Sequence, residues 1–221
     1  MPLHVHTFGP SDGRPLLALP GLRGPGLVWR HLAETQLADM RVYAPDLRGQ
    51  GSSVQEPPWT LEQHAADVLD TLDAIGLPEV DVVAQSFSGA VALSLNAAAP
   101  GRVRRLILLD PTIRVPAGVA DVMARRALDE RAEGGREEGG PAHPAAVVTG
   151  FSELARPLPD PPTGTAILFV VATRSPAWRG YLPDWQDALG ADLTVVEVDC
   201  GHQVLLEEPE RTGELIRAFV R

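Results

Sequence analysis

Apolar and polar residues follow two alternating patterns along most of this chain. Short runs of branched apolar residues end in Gly, Asp, Pro or Ser, which is typical of strands, and segments of helical period lie between several of them. The predicted strands are Leu3 to Phe8, Leu16 to Leu19, Arg41 to Ala44, Val80 to Ala84, Arg105 to Leu109, Ala166 to Val171 and Leu193 to Val198. The predicted helices are Leu27 to Leu37, Leu61 to Ile75, Phe87 to Ala99, Leu182 to Leu189 and Leu205 to Val220. This alternation predicts an α/β fold with a mostly parallel, doubly wound sheet and right-handed crossovers.

The helix predicted from Leu61 to Ile75 has the clearest start and end. Thr60 can cap its first turn, and Gln63, three residues later, completes a capping box. Apolar residues recur at helical spacing along one face of this segment. Gly76 then predicts the end of the helix, because glycine readily takes the left-handed conformation that follows many helices.

The stretch from residue 111 to residue 165 lacks the strand pattern. It contains a charged, helix-like segment around Val119 to Arg131 and a second short apolar run that ends at Leu154. We expect it to form a small helical lid, inserted before the penultimate strand of a core made of residues 1–110 and 166–221. A surface loop with no role at a functional site is the alternative.

Composition limits the classes of partner. With 221 residues, 44% of them hydrophobic, the chain can bury one substantial core. Its formal charge of -10 repels phosphate backbones and anionic lipids, so no nucleic-acid partner is expected. The single cysteine excludes an internal disulfide, the N-terminal residues lack the pattern of a secretion signal, and no apolar run approaches the roughly 20 residues that cross a bilayer. We therefore expect a cytoplasmic protein with a small-molecule partner and no membrane partner; its oligomeric state stays open.

The segment VDVVAQSFSGAVAL predicts a sharp turn from a strand into a helix, with Ser86 at the turn. Ala84 and Ser88, two positions to either side, are small enough to let the strand and the helix approach closely. The turn would place the hydroxyl of Ser86 at the carboxyl end of the sheet, near the positive end of the following helix. This setting suits a nucleophile, although a serine here could also simply cap the helix.

Three other loops are predicted at the same edge of the sheet. A glycine-containing loop after an early strand could present the backbone N–H of Leu22 as one oxyanion donor, with the N–H of Phe87 as the other. The compact loop DLRGQGSS follows the next strand. His202 lies between the final strand and the final helix, where a general base for Ser86 belongs.

The motifs LPGLRGPG, APDLRGQGSS, VVAQSFSG, LILLDP and DCGHQVLLEEPE occur in the order found in the alpha/beta-hydrolase superfamily, which the sequence resembles over nearly its whole length. The resemblance implies a serine nucleophile, a histidine base oriented by a carboxylate, a backbone oxyanion hole, and a cap inserted after the family's sixth strand. It implies no metal and no other cofactor. Ser86 and His202 match the nucleophile and the base, and Leu22 and Phe87 match the oxyanion hole.

Some departures from the family pattern are mild. Ala84 and Ser88 stand where the family usually has glycine, and both remain small. Pro20 replaces a histidine that often precedes the oxyanion glycine, which removes a side chain but no backbone donor. The insertion is short, which favours an open cleft.

The departure that matters most concerns the acid. Ser175 or a neighbour occupies the position after the penultimate strand where family members place the triad carboxylate. Asp110 ends the strand before the insertion, and some relatives take their acid from that position. We therefore expect Asp110 to orient His202. Another carboxylate such as Asp184 or Asp199, or no acid at all, stays an alternative, and Asp110 could instead only close a turn.

These residues favour a serine hydrolase that cleaves a carboxylic ester, a lactone or a thioester through an acyl-enzyme on Ser86. Relatives that act as haloalkane dehalogenases or epoxide hydrolases have an aspartate at this turn, so the serine argues against those activities. Two other classes stay open. One is a non-catalytic small-molecule binding protein of the same fold, and the other is a lyase or cyclase that uses the same pocket.

The remaining candidates concern substrate contacts and surface groups. Arg23 or Arg48 could approach the cleft and favour an anionic substrate. Four aromatic residues could wall an acyl pocket or simply fill the core: Trp29, Phe87, Trp178 and Trp185. Asp46 and Arg48 are expected to brace their loop as a pair, and Cys200 is expected to be a small buried filler. Five histidines are expected at the surface, with a solvated edge favoured over metal binding for the first two: His4, His6, His31, His64 and His143.

Overall fold

The computed structural model of this protein describes residues 1–132, 142–157, 160–177 and 179–221. Its strands are β1 Val5–Phe8, β2 Arg14–Leu19, β3 Met40–Pro45, β4 Val80–Gln85, β5 Val103–Leu109, β6 Ala166–Ala172 and β7 Leu193–Val198. They form one sheet in the order β1-β3-β2-β4-β5-β6-β7. The edge strand β1 pairs antiparallel with β3, and the other pairs are parallel. The α/β prediction of a mostly parallel, doubly wound sheet is confirmed.

The described α-helices are α1 Arg30–Thr35, α2 Leu61–Ala74, α3 Ser88–Ala98, α4 Ala117–Ala132, α5 Pro144–Leu154, α6 Leu182–Leu189, α7 Val204–Glu207 and α8 Pro209–Val220. A 3-10 turn, Gly26–Trp29, precedes α1. The single helix predicted from Leu205 to Val220 was wrong, because the chain breaks at Glu208 into α7 and α8. The proline that follows Glu208 disfavours helical angles at Glu208 itself.

The start of α2 follows its sequence pattern only in part. The Thr60 side chain accepts a hydrogen bond from the backbone N–H of Gln63, so Thr60 caps the helix. The Gln63 side chain donates to Asp67 instead of completing the capping box. Gly76 has a φ of 73°, a left-handed conformation, and lies just beyond the helix end.

Alternation along the strands divides the core into two layers. Leu106 and Leu108 of β5 face a layer that contains apolar residues of α2, α3 and α6. Ile107 and Leu109 face the opposite layer, which contains apolar residues of α1, α7 and α8. The sheet is therefore covered on both faces, and its functional groups emerge at the carboxyl ends of the strands.

The insertion between β5 and β6 contains α4 and α5, which pack against each other. In the part of the chain that the structure describes, every helix is too short or too polar to span a lipid bilayer. The boundaries of core and lid stay a prediction.

Candidate active site

Ser86 lies at the sharp turn between β4 and α3. Its φ is 56°, a left-handed conformation that is uncommon for residues other than glycine. Close packing surrounds the turn: a Cβ on Gly89 would lie 2.5 Å from the Cβ of Pro111. Ser88 is buried and donates a hydrogen bond to the carbonyl of Pro20, which ties the turn to the loop after β2. The turn thus holds the Ser86 side chain at the edge of the sheet.

His202 reaches Ser86 from the loop between β7 and α7. The distance from His202 Nε2 to Ser86 Oγ is 2.7 Å. The side-chain amide of Gln85, next to Ser86, donates to the backbone carbonyl of His202 at 2.7 Å. One end of β4 therefore supplies both the hydroxyl that meets the imidazole and a hydrogen bond that fixes the histidine loop.

Asp110 completes the chain of contacts from the end of β5. Its Oδ2 lies 2.6 Å from His202 Nδ1, and the side chain is fully buried. The other two carboxylates that the sequence left open lie elsewhere. Asp184 is exposed on α6, and Asp199 is exposed and bonded to Thr173 and Arg174. Of these three carboxylates, Asp110 is the one in contact with His202.

The second oxygen of Asp110 has partners that sequence reasoning missed. Oδ1 forms an ion pair with Arg179 and accepts a hydrogen bond from the backbone N–H of Ala172 at 3.2 Å. Burial alone would raise the pKa of this carboxyl group, but hydrogen bonds from His202, Ser175 and Arg179 outweigh it and hold the pKa below its ordinary value. Asp110 is therefore a carboxylate at neutral pH, with a cation on the side away from the imidazole.

The loop after β2 lies beside Ser86. A Cβ on Gly21 would be 3.9 Å from the Cβ of Ser86. The buried side chain of Gln50 fixes this loop, since its Nε2 donates to the carbonyls of Gly21 and Leu22 at 2.8 and 3.0 Å. Among the described residues, neither the N–H of Leu22 nor that of Phe87 donates to another group. Both amides are available for a ligand.

A sequence model of the alpha/beta hydrolase fold matches residues 14–144 of the chain. The lipase LipV of Mycobacterium tuberculosis is 34% identical, over 98% of this chain and 97% of the lipase. This chain belongs to the alpha/beta-hydrolase family. It is an enzyme of the hydrolase class built on that fold.

Solved structures of other hydrolases share the fold at lower sequence identity. An esterase from Exiguobacterium antarcticum superimposes with a TM-score of 0.84 at 16% identity and covers 99% of this chain and 95% of its own. An enol-lactonase from Burkholderia xenovorans superimposes with a TM-score of 0.82 at 19% identity and covers 99% of this chain and 96% of its own. At such identities these two structures support the fold alone.

In this hydrolase, α5 packs against the loop that carries Leu22. A Cβ on Gly150 would overlap the Leu22 side chain, so the glycine allows the helix to lie directly on that loop. The backbone N–H of His143 donates to the carbonyl of Gly49 at 2.6 Å, which ties the start of α5 to the loop after β3. Thr112, at the start of the insertion, has its Oγ1 3.4 Å from Ser86 Oγ. The insertion thus contacts both the turn that carries Ser86 and the predicted oxyanion loop.

The two predicted substrate contacts are placed differently. Arg23 is exposed and adjoins Leu22, and its backbone carbonyl accepts from the N–H of Ala142. Trp178 lies outside the described residues. Trp29 and Trp185 are each 1% exposed and fill opposite layers of the core, so neither walls an open acyl pocket.

Two predictions about charged groups were wrong. Arg48 pairs with Asp67 of α2 at 2.6 Å rather than with Asp46, because its side chain turns inward, where a buried carboxylate compensates its charge. His64 is buried rather than at the surface, and its ring packs edge-on against Phe87 at 5.5 Å between centroids. Its position on the inner face of α2 explains the burial.

Proposed function

We propose that this hydrolase cleaves a carboxylic ester, a lactone or a thioester of a small molecule through an acyl-enzyme on Ser86. The observation that carries the proposal is the unbroken chain of contacts from Ser86 Oγ to His202 Nε2 and from His202 Nδ1 to Asp110 Oδ2, at 2.7 and 2.6 Å. Both distances are those of hydrogen bonds suited to proton transfer from a hydroxyl to an oriented imidazole.

In the first half of the reaction, Ser86 Oγ attacks the carbonyl carbon while its proton passes to His202 Nε2. The carboxylate of Asp110 fixes the imidazole tautomer and stabilises the imidazolium that forms. The amides of Leu22 and Phe87 donate to the carbonyl oxygen as its negative charge develops. His202 then gives its proton to the leaving alcohol or thiol, and an acyl group remains on Ser86.

In the second half, water replaces the leaving group. His202 takes a proton from the water as it attacks the acyl carbon, and returns that proton to Ser86 Oγ when the acid departs. The insertion with α4 and α5 covers the cleft and screens substrates by size, with Arg23 and Trp178 as candidate substrate contacts. No metal or other cofactor enters these steps, since protein groups supply every proton transfer and the oxyanion donors.

Hydrolysis of p-nitrophenyl acetate tests this proposal. Ser86→Ala should lower kcat by at least about 10³-fold, because the nucleophile of a triad cannot be replaced by its partners. Ser94→Ala, a change of the same size within α3, should leave kcat close to that of the wild type. Retention of turnover by Ser86→Ala would exclude the acyl-enzyme on this residue.

A further inference from the structure

Two histidines and one aspartate converge at the β1 edge of the sheet, away from Ser86. The antiparallel pairing of β1 and β3 sets His6 opposite Ala44. Just before β1, the carbonyl of His4 accepts the backbone N–H of Asp46 at 2.9 Å. Because side chains alternate along a strand, His4 and His6 share one face, and Asp46 meets them there.

The spacing of their side-chain atoms fits a single bound ion. His6 Nε2 lies 2.9 Å from Asp46 Oδ1. One ligand atom from each of the three residues lies within 4.8 Å of the others. Ligands at about 2.0–2.1 Å from a tetrahedral zinc ion are themselves about 3.3–3.4 Å apart. The pair of His6 and Asp46 needs to open by only about half an ångström to reach this separation, and the exposed His4 ring can rotate toward them.

Asp46 is held in place by other groups before any ion arrives. Its Oδ1 also accepts the N–H of Gly26 at 2.8 Å, and its Oδ2 accepts the N–H of Ser52 at 2.9 Å. Hydrogen bonds of this kind orient the ligating carboxylates of metal sites. Ser53 connects the backbone of His4 with that of Asp46, since its Oγ accepts from the N–H of His4 and donates to the carbonyl of Asp46. Exposure of His4 leaves an entry path from solvent.

We propose that His4, His6 and Asp46 bind one divalent transition-metal ion, with Zn²⁺ as the ion of best fit. Two imidazoles and one carboxylate suit zinc, copper or nickel, whereas magnesium and calcium prefer sites made of oxygen ligands. Three protein ligands leave a position for water. The bound ion ties β1 to the loop after β3, and it takes no part in the chemistry at Ser86, which lies on β4, three strands from β1 in the sheet.

Calorimetric titration of the chelator-treated full-length protein with Zn²⁺ tests this site. We expect one ion per chain, with affinity lowered at least tenfold in His4→Gln and in His6→Gln. His31→Gln removes an exposed histidine on α1 and should bind as the wild type does. Mg²⁺ should give no saturable binding. Thermal unfolding in the presence of chelator checks that each variant is folded, and His4→Gln is the safer variant because His4 is exposed.

Two outcomes would overturn the proposal. One is the absence of saturable Zn²⁺ binding by the wild type, which would leave His6 and Asp46 as an ordinary hydrogen-bonded pair. The other is equal Zn²⁺ affinity in the wild type, His4→Gln and His6→Gln, which would place the ion at another histidine. Neither outcome bears on the hydrolase proposal, because the titration does not depend on Ser86.

Discussion

At the scale of single residues, the position of Asp110 shapes the whole site. The family pattern places the acid after the strand that is β6 here, and that loop carries Ser175 and Arg179 instead. Because β5 lies between β4 and β6, a carboxylate at the end of β5 reaches the same imidazole. The loop after β6 contributes Arg179, whose guanidinium pairs with Oδ1 of Asp110, the oxygen that does not contact His202. In this protein the carboxylate in contact with His202 thus follows β5, and the loop after β6 carries a cation.

Asp110→Asn tests this placement of the acid. An amide can hold the wrong imidazole tautomer and cannot stabilise the imidazolium, so we expect kcat for p-nitrophenyl acetate to fall by about 10²–10⁴-fold. Asp199→Asn is the matched control, since Asp199 is exposed on the histidine loop. A near-normal rate for Asp110→Asn, or an equal loss for Asp199→Asn, would remove Asp110 from the triad.

Arg179→Met tests the cation behind the acid. Arg179 compensates part of the Asp110 charge and helps to hold its pKa below the ordinary value. Without that cation, the carboxylate favours the protonated imidazole more strongly, so the acid limb of the kcat/KM profile should move to higher pH. Arg179→Lys should restore most of the profile.

Arg174→Met serves as the control for this change, because Arg174 lies on the same loop and pairs with the exposed Asp199. A profile that is unchanged in Arg179→Met would mean that the ion pair has no influence on the proton transfer. A uniform loss of activity at every pH would indicate a structural role only.

At the scale of secondary-structure elements and loops, Gln50 connects the turn after β3 with the predicted oxyanion loop. Its Oε1 accepts the N–H of Leu47 at 3.1 Å while its Nε2 donates to the loop carbonyls of Gly21 and Leu22. One buried side chain thus orients the two peptide groups on either side of the Leu22 Cα, and the first of them contains the Leu22 N–H. We expect Gln50 to act on the reaction through this loop, as a positioning residue.

Gln50→Glu replaces the donating amide with a carboxylate of the same shape. The carboxylate keeps an acceptor for Leu47 but repels both carbonyls, so the loop should shift and kcat should fall by about 10–10³-fold, with a smaller change in KM. Gln186→Glu, the same change at an exposed position of α6, should leave both constants close to wild type. Urea unfolding of both variants separates a shifted loop from loss of the fold. A change confined to KM would contradict this role.

Local patterns predicted most elements, and the errors arise both from near neighbours in the sequence and from long-range contacts. The Thr60 cap and the left-handed conformation of Gly76 depend only on residues close by in the sequence, so the local pattern predicts both. The Gln63 side chain does not complete the capping box, because it donates instead to the carboxylate of Asp67, one turn later in the same helix. That carboxylate also pairs with Arg48. The ion pair of Arg179 joins the loop after β6 to the residue that follows β5, and no local pattern signals it.

At the scale of the whole molecule, folding buries groups that the sequence pattern placed at the surface. His64 lies on the inner face of α2, where burial lowers its pKa from 6.5 to about 4. The folded protein therefore keeps this imidazole neutral under conditions in which the unfolded chain takes up a proton. Since the unfolded state binds more protons between these pKa values, stability falls as the pH is lowered from about 6.5 to about 4.

His64→Gln should reduce this loss of stability. A depression of this size corresponds to about 3 kcal/mol in the free energy of unfolding. Urea unfolding at a series of pH values should therefore show a shallower decline for His64→Gln than for the wild type. His31→Gln, at an exposed position of α1, should decline as the wild type does. Identical slopes for the wild type and His64→Gln would mean that His64 does not carry the proton linkage.

The central claim is that Ser86, activated by His202, is the nucleophile of this hydrolase. Labelling with a fluorophosphonate probe tests it most directly, because the probe forms a stable bond with an activated serine and needs no knowledge of the substrate. We predict labelling of the wild-type protein, located by peptide mass on Ser86, and none in Ser86→Ala. Absence of labelling in the folded wild type, or equal labelling of Ser86→Ala, would contradict the claim.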